Sequence, residues 1–171
     1  RGPPGRPGTW QVRRPPPRRP PAPAVLAALS AIGAAHAQQI VLTNTRGLDF
    51  GRFVANTGGT VVISPTGMRS RTGGVVLLNS PTVGQASFNV GKSSNGNNNK
   101  AVIISLPANG STRLNSGATS MAVNTFVNAP ATILSVPNGG TTLAVGATLS
   151  VAPDQPPGNY SGTFSLTVNF Q

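Results

Sequence analysis

Residues 156–171 end the chain with PPGNYSGTFSLTVNFQ, and this stretch decides the fold class. From Tyr160 onward apolar and polar residues alternate without interruption. Successive side chains of a β-strand point to opposite faces, so the alternation predicts a strand with one buried face. Burial of that face would contribute about 1.5–3 kcal/mol for each large apolar side chain. The residues that share the face are Tyr160, Gly162, Phe164, Leu166, Val168 and Phe170.

Similar short apolar, β-branched runs recur along the chain, separated by clusters of Gly, Asn, Pro and Ser. No segment shows a sustained 3.6-residue apolar period, so we expect no substantial helix. The pattern predicts an all-β fold, an antiparallel immunoglobulin-like β-sandwich of about seven to eight strands. Counted with the terminal run at 160–170, the candidate strands are residues 39–45, 59–65, 73–80, 85–91, 100–107, 120–127 and 141–152.

The N-terminal residues differ in composition from the rest. Residues 1–23 are mostly Pro, Arg and Gly, and we interpret them as a disordered leader or a misassigned start, because they cannot build a core. Residues 24–37 form a short apolar run ending in Ala35-His36-Ala37, which is typical of a signal peptide. Cleavage after Ala37 would leave Gln38 first and residues 38–171 as one β-sandwich domain. The run is too short for a comfortable membrane span, although an N-terminal anchor or amphipathic helix is the alternative interpretation.

The net charge of the chain depends strongly on whether the leader is counted. The 13 basic and two acidic residues give +11, a value that suggests a nucleic-acid-binding protein. Residues 38–171 hold only seven of the basic residues and both acidic ones, which leaves +5. We therefore expect no nucleic-acid partner, because the remaining cations are scattered and not interleaved with aromatic residues: Arg46, Arg52, Arg69, Arg71, Lys92, Lys100 and Arg113.

The residue types needed for catalysis are largely missing. The chain has no cysteine, its single histidine is His36, and its two acidic residues are Asp49 and Asp154. Metal sites of the His/Cys type and a Ser-His-Asp triad are therefore excluded for residues 38–171. Both aspartates lie in turn-like contexts, where they are more readily explained as turn residues than as a catalytic pair. We expect neither an enzyme nor a cofactor.

Two polar segments are interpreted as loops. Residues 91–100, GKSSNGNNNK, contain no apolar residue and predict a mobile hairpin loop between strands that end at Val90 and start at Ala101. Arg69 and Arg71, in the stretch PTGMRSRTGG, are interpreted as part of a solvated turn.

The spacing of the terminal residues resembles a known signature. Phe170 is penultimate, apolar residues precede it at every second position, and Gly158 is fourteenth from the end. This resembles the C-terminal signature of chaperone–usher pilus subunits. The ending also resembles that of the archaic, spore-coat-U-like fimbrial subunits, and LDFGRF at 48–53 resembles their early L-x-F-G motif.

A second resemblance covers nearly all of residues 38–171. It is carried, in order, by LDFG, GGTVVISPTG, TGGVVLL, FNV, LAVGATLSV and GNYSGTF. This succession is similar to a bacterial secreted family catalogued as domain of unknown function 4402.

The fimbrial resemblance implies a sandwich that lacks one strand and is completed by a strand from another chain. The partners that it implies are other copies or related subunits, a periplasmic chaperone and an outer-membrane usher. We expect no stable membrane span in the chain itself. The implied donor segment runs from residue 38 to residue 45, with Ile40 and Leu42 as apolar anchors. The groove that grips the incoming strand would be lined by Gly158, Tyr160, Phe164, Leu166, Val168 and Phe170.

The sequence leaves two functions open. The first is a secreted, non-enzymatic surface protein, a fimbrial structural or adhesive subunit that assembles by donor-strand exchange. The second is a self-contained monomeric extracellular module, for example one that binds polysaccharide. Only ten residues, 38–47, precede LDFG, which is enough for one strand but not for both a donor and a first strand. In a self-sufficient sandwich, the segment from Ile40 to Thr43 would pair within its own domain.

Overall fold

The computed structural model describes residues 39–93 and 100–171. The predicted leader, the signal segment and the cleavage position between Ala37 and Gln38 lie outside the described residues, as do residues 94–99 of the predicted polar loop. Within the described ranges the chain forms strands and no helix: β1 (Ile40–Arg46), β2 (Phe53–Val54), β3 (Gly59–Ile63), β4 (Arg69–Gly73), β5 (Val76–Leu77), β6 (Ala86–Lys92), β7 (Val102–Ser105), β8 (Thr112–Ser116), β9 (Thr119–Ala129), β10 (Thr141–Val151) and β11 (Thr167–Phe170).

The large sheet has seven strands and is organised around β10. Along one edge of β10, residues 141–145 pair with β6 and residues 147–151 pair with β3. The opposite edge pairs with β9, which in turn pairs with β8. The sheet therefore runs β1-β6-β10 at one end and β4-β3-β10 at the other, and every pairing is antiparallel.

Gly146 lies where β10 changes partner. A Cβ atom built at this residue would lie 2.2 Å from the Ile63 carbonyl oxygen and 2.7 Å from the Ser64 carbonyl carbon. Only glycine at this position lets β3 approach β10 so closely at the point where the pairing with β6 ends and the pairing with β3 begins.

Two smaller sheets accompany the large one, β11 with β7 and β2 with β5. The buried side chains form two clusters. The first is built on Val61, Ile63, Met121 and Leu149, and the second on Phe88, Val90, Leu143 and Val145. The side chains of β11 pack against the second cluster, and those of β2 and β5 pack against the first. The predicted antiparallel all-β sandwich is thus confirmed.

The predicted strands are all present, but the number expected was too low. Each of the eight candidate runs contains a strand, and three further strands, β2, β4 and β8, bring the total in the described residues to eleven. The missed strands are polar or only two residues long, so they show no apolar alternation. Their pairing depends on neighbours distant in sequence, which a local pattern does not reveal.

Two of the loop predictions are wrong in part. β6 and β7 do not pair as the strands of the predicted hairpin would, because β6 belongs to the large sheet and β7 pairs with β11 in another sheet. Arg69 and Arg71 do not form a solvated turn, since they belong to β4 and pair with Ile63 and Val61 of β3. The described part of the chain contains no helix with the length and apolar character that a membrane crossing requires.

Candidate functional site

The strand order of the sandwich leaves one position without a strand. In a constant-type immunoglobulin sandwich, strands A, B, E and D form one sheet and strands C, F and G form the other. Here β1, β6, β10 and β9 follow one another as A, B, E and D, while β7 and β11 correspond to C and F. Within residues 39–93 and 100–171, no strand pairs with the second edge of β11, where strand G would lie.

The backbone of the terminal segment 160–171 is bonded along one edge only. The Gln171 N–H donates to the Ala101 carbonyl (2.8 Å), and Ser161 and Asn115 exchange two bonds of 2.8 and 3.1 Å. Because antiparallel partners alternate between bonded and non-bonded pairs, the odd-numbered residues face β7 and β8. Within β11, Val168 and Phe170 therefore direct their N–H and C=O groups to the opposite edge. Among the described residues, no backbone group bonds to this edge.

Apolar side chains accompany the free edge. Phe164, Leu166, Val168 and Phe170 are half-buried and pack against the second core cluster, whereas the odd-numbered residues between them are exposed. The ring of Phe164 lies 5.1 Å from that of Phe126 and 6.1 Å, edge-on, from that of Phe88. The predicted alternation is therefore present, and it combines unpaired backbone groups with an apolar strip that is not fully covered. Such an edge is prone to pair with another strand.

The opposite wall of this gap is β1. The Ser93 N–H donates to the Gln39 carbonyl (3.0 Å), so Thr43 is bonded to β6 while Ile40 and Leu42 direct their backbone groups away from it. The side chains of Ile40 and Leu42 also pack against the second cluster. Cα atoms of β1 and β11 approach within 8 Å, yet no backbone hydrogen bond joins the two strands in the described ranges.

Beside the start of the terminal segment lies a separate cleft of about 1060 Å³. Its walls are residues 48–55 and 78–82 on one side and residues 155–162 on the other. Leu114, Met121 and Leu149 line the cleft and connect it to the first core cluster. We call the cleft together with the gap between β1 and β11 the terminal groove.

Tyr160 holds the start of the terminal segment in place. Its hydroxyl donates to the Pro156 carbonyl (2.8 Å), accepts from Gln155 Nε2 (2.9 Å) and lies 2.8 Å from the Thr119 hydroxyl. The ring packs against the first core cluster, unlike Phe164 to Phe170, which pack against the second. The structure thus divides the predicted groove residues between the two ends of the terminal groove.

The two glycines of this segment have different surroundings. A Cβ atom at Gly162 would lie 2.3 Å from the backbone oxygen of Arg113, so glycine is required for the segment to approach β8. Gly158 lines the cleft, and a Cβ atom there would meet the side-chain oxygen of Ser116 at 2.5 Å, a group that is able to rotate away. Gly162 is the glycine that positions the segment, although the sequence signature singled out Gly158.

Arg69 supports one wall of the cleft, a role that the sequence did not reveal. Its guanidinium donates to the carbonyls of Leu78 (2.9 Å) and Arg52 (2.6 Å), and so ties together both loops of that wall. Burial lowers the pKa of the Arg69 guanidinium, and the charge of Asp49 partly opposes this shift. Its Nε is buried and has no hydrogen-bond partner in the described structure.

We expect Arg69→Lys to lower the free energy of unfolding by about 1–2 kcal/mol, because an ammonium cannot reach both carbonyls in the fixed geometry of a guanidinium. Arg71→Lys is the matched control on the same strand. The Arg71 side chain is exposed and makes one long bond of 3.3 Å, so its replacement should change stability by less than about 0.5 kcal/mol. Urea unfolding measures both, and equal midpoints for the two variants would contradict the assigned role of Arg69.

Carboxylates and metal-binding side chains do not converge in the groove. Asp49 lines the cleft, where its Oδ1 accepts the Gly51 N–H at 2.7 Å. Asp154 lies in a turn, and its N–H donates to the Asn56 carbonyl. No group of three or more His, Cys, Asp or Glu residues occurs in the ranges that the structure describes.

The order of motifs along the chain has a counterpart in a known family. The family model described as domain of unknown function (DUF4402) matches residues 40–170. The chain belongs to the DUF4402 family. Comparisons with curated proteins and with solved structures found no match. The matched region of this DUF4402 domain spans β1 through β11 and so includes both walls of the terminal groove.

Proposed function

We propose that this DUF4402 protein is a non-enzymatic bacterial surface subunit that assembles through strand donation between copies. The observation that carries the proposal is the unpaired edge of β11, which lies beside half-buried apolar side chains at the position of strand G. Addition of a strand there would satisfy the backbone groups by hydrogen bonding and cover Leu166, Val168 and Phe170.

The donor in this proposal is the segment that carries Ile40 and Leu42. As β1 it occupies an edge of the large sheet, with its outer backbone groups unpaired, and its half-buried residues Ile40 and Leu42 are separated by the exposed Val41. After leaving β6, it would pair with the terminal segment of another copy and place the side chains of Ile40 and Leu42 over that groove.

The proposed location is the cell surface, reached through the periplasm. The signal-peptide pattern of residues 24–37 supports this location. A strand-lending periplasmic chaperone and an outer-membrane usher are the proposed assembly partners, because an uncovered apolar edge favours aggregation before assembly. The absence of cysteine, histidine and glutamate from residues 38–171 supports a structural or adhesive role rather than catalysis.

A disulfide that holds β1 in its own domain tests the proposal. Thr43 and Asn89 are register partners on β1 and β6, in a bonded pair whose Cα atoms are about 5.5 Å apart, a separation that suits a disulfide. The natural chain has no cysteine, so T43C/N89C introduces the only thiols. We expect the oxidised full-length variant to remain monomeric on mild warming, and the reduced protein to form at least about tenfold more high-mass species, measured by size-exclusion chromatography.

The single variant T43C serves as the control, since it cannot close the intramolecular bridge. Equal amounts of high-mass species from oxidised and reduced T43C/N89C would show that β1 is not the donor. If neither form assembled, donation between copies of this chain would be rejected.

One observation favours the second candidate, a self-contained extracellular binding module. In the structure β1 pairs along its whole length with β6 of the same chain, as expected if the N-terminal segment never leaves its domain. On this interpretation the terminal groove stays open, and both redox forms of T43C/N89C remain monomeric.

A further inference from the structure

The large sheet has a side opposite the core that no strand of residues 39–93 and 100–171 covers, which we call the outer face. Residues in register across neighbouring strands form rows on it. One row is Thr43, Asn89 and Thr142 on β1, β6 and β10, and another is Ser70, Val62 and Thr148 on β4, β3 and β10. Five strands lie side by side in the order β1, β6, β10, β9 and β8. At about 4.8 Å between neighbouring strands, they give this face a width of about 20 Å.

The outer face is almost free of charge. Three charged residues of the large sheet pair in register with core-facing residues of the neighbouring strand, and so lie on the core side of the sheet. They are Arg69, Arg71 and Lys92. Arg46 lies beyond the bulge at the end of β1 and donates to the carbonyls of Thr82 and Val83. Only Arg113, at the β8 edge, remains on the outer face in the described residues, and its Nε is bonded to Ser120.

Part of the hydrogen-bonding capacity of this face is unused. Thr60 and Thr72 bond to each other (2.7 Å), and Asn124 donates to Ser150 (3.0 Å). By contrast, the side chains of Thr43, Asn89, Thr142 and Thr148 have no hydrogen-bond partner among the described residues. These groups both donate and accept hydrogen bonds, and they alternate with methyl groups of threonine, valine and alanine.

We propose that the outer face binds an extended, uncharged polysaccharide. Neutral sugars offer hydroxyls that match the free hydroxyl and amide groups, and C–H faces that match the methyl groups. The strand spacing is close to the length of one sugar unit in an extended β-linked glucan. A polyanion would find no cationic cluster here, and of the aromatic, Met and Arg anchors that dominate protein interfaces a protein partner would find only Arg113, at the β8 edge. This inference does not rest on strand donation.

The test is co-sedimentation of the full chain with microcrystalline cellulose, with alginate beads as the anionic comparison. We expect retention on cellulose and none on alginate at physiological salt. Thr142→Glu and Thr148→Glu should each weaken cellulose binding by about tenfold or more, because the carboxylate would lose water against a neutral surface. The matched control is Thr167→Glu, on the outward side of β11 in the small sheet, which should leave binding unchanged.

Thermal melts show whether the variants remain folded. If Thr142→Glu on the central strand β10 unfolds the domain, Thr43→Glu on the edge strand β1 replaces it in the test. Absence of retention on cellulose would overturn the proposal. So would an equal loss in the Thr167→Glu variant, or concentration-dependent dimers that Thr142→Glu abolishes without any cellulose binding. The last outcome would identify a second copy as the partner of this face.

Discussion

Gly146→Ala is expected to destabilise the domain by about 3 kcal/mol or more and to lower its Tm by about 10 °C or more. The added methyl group would meet the carbonyl oxygen of Ile63 at 2.2 Å and the backbone of Ser64 at 2.7 Å. These are backbone atoms of the chain leaving β3, which is paired with residues 147–151 of β10. Relief of the clash requires β3 to move away from β10, and so opens the first core cluster. Differential scanning calorimetry measures the loss.

Gly91→Ala is the control for this prediction. Gly91 also lies within a strand of the large sheet, but a Cβ atom there would have only ordinary contacts at 3.6 and 3.8 Å. The same chemical change should therefore alter stability by no more than about 0.5 kcal/mol. Similar melting temperatures for the two variants would show that the contact between β10 and β3 has room to relax, and that the partner change does not depend on glycine.

The sequence is sufficient to predict strands whose burial follows a local pattern. In the predicted strand at 141–152, apolar residues stand at every second position from 143 to 151, and all five of them are buried. The alternation from Phe164 to Phe170 is confirmed in the same way, with half-buried and exposed residues in turn. In both segments the two-residue period arises because one face of the strand packs on a core. The period can therefore be read from the segment itself, without knowledge of its partners.

The partners of each strand are not local information. The apolar period of β10 continues unbroken across Gly146, although Leu143 and Val145 join one core cluster and Leu149 joins the other. Nothing in that alternation marks a change of partner. For the same reason the polar composition of β4 predicts a turn, whereas the segment is a strand held by pairing with β3 and by the bonds of Arg69 to two distant loops.

The terminal groove was predicted as a set of residues, but not as a shape. The sequence predicts that Tyr160 and the apolar residues from Phe164 to Phe170 share one face. In the structure all of them are half-buried, but Tyr160 packs against the first core cluster and the others against the second, which depends on where β7 and β8 lie. The pairing of Ile40 and Leu42 with β6 was one of two interpretations left open by the short N-terminal segment. Only the register of β1 on β6 identifies which of its backbone groups are unpaired.

Removal of β1 is expected to give the second large effect. A chain that starts at residue 48 loses the half-buried side chains of Ile40 and Leu42 and the whole of the β1–β6 pairing, and exposes part of Phe88 and Val90. We expect a loss of about 4 kcal/mol or more from apolar burial and lost hydrogen bonds together. In a domain of this size the Tm should fall by about 15 °C. A peptide copying residues 38–48, added at 100 times its Kd, should restore about 2.7 kcal/mol.

The intact chain separates strand acceptance from simple replacement of β1. Its own β1 is in place, so the peptide can raise its Tm only by binding elsewhere. At the free edge of β11 it would displace β1, whose Cα atoms lie within 8 Å of β11, because a paired strand needs about 4.8 Å on each side. We expect a rise of a few degrees in the intact chain, and none from a control peptide that carries I40K and L42K, because lysine at these positions cannot occupy the apolar strip. Rescue of the shortened chain without any rise in the intact chain would mean that the peptide only refills the place of β1. The terminal groove would then not be a strand acceptor, and the self-contained module would be the better description.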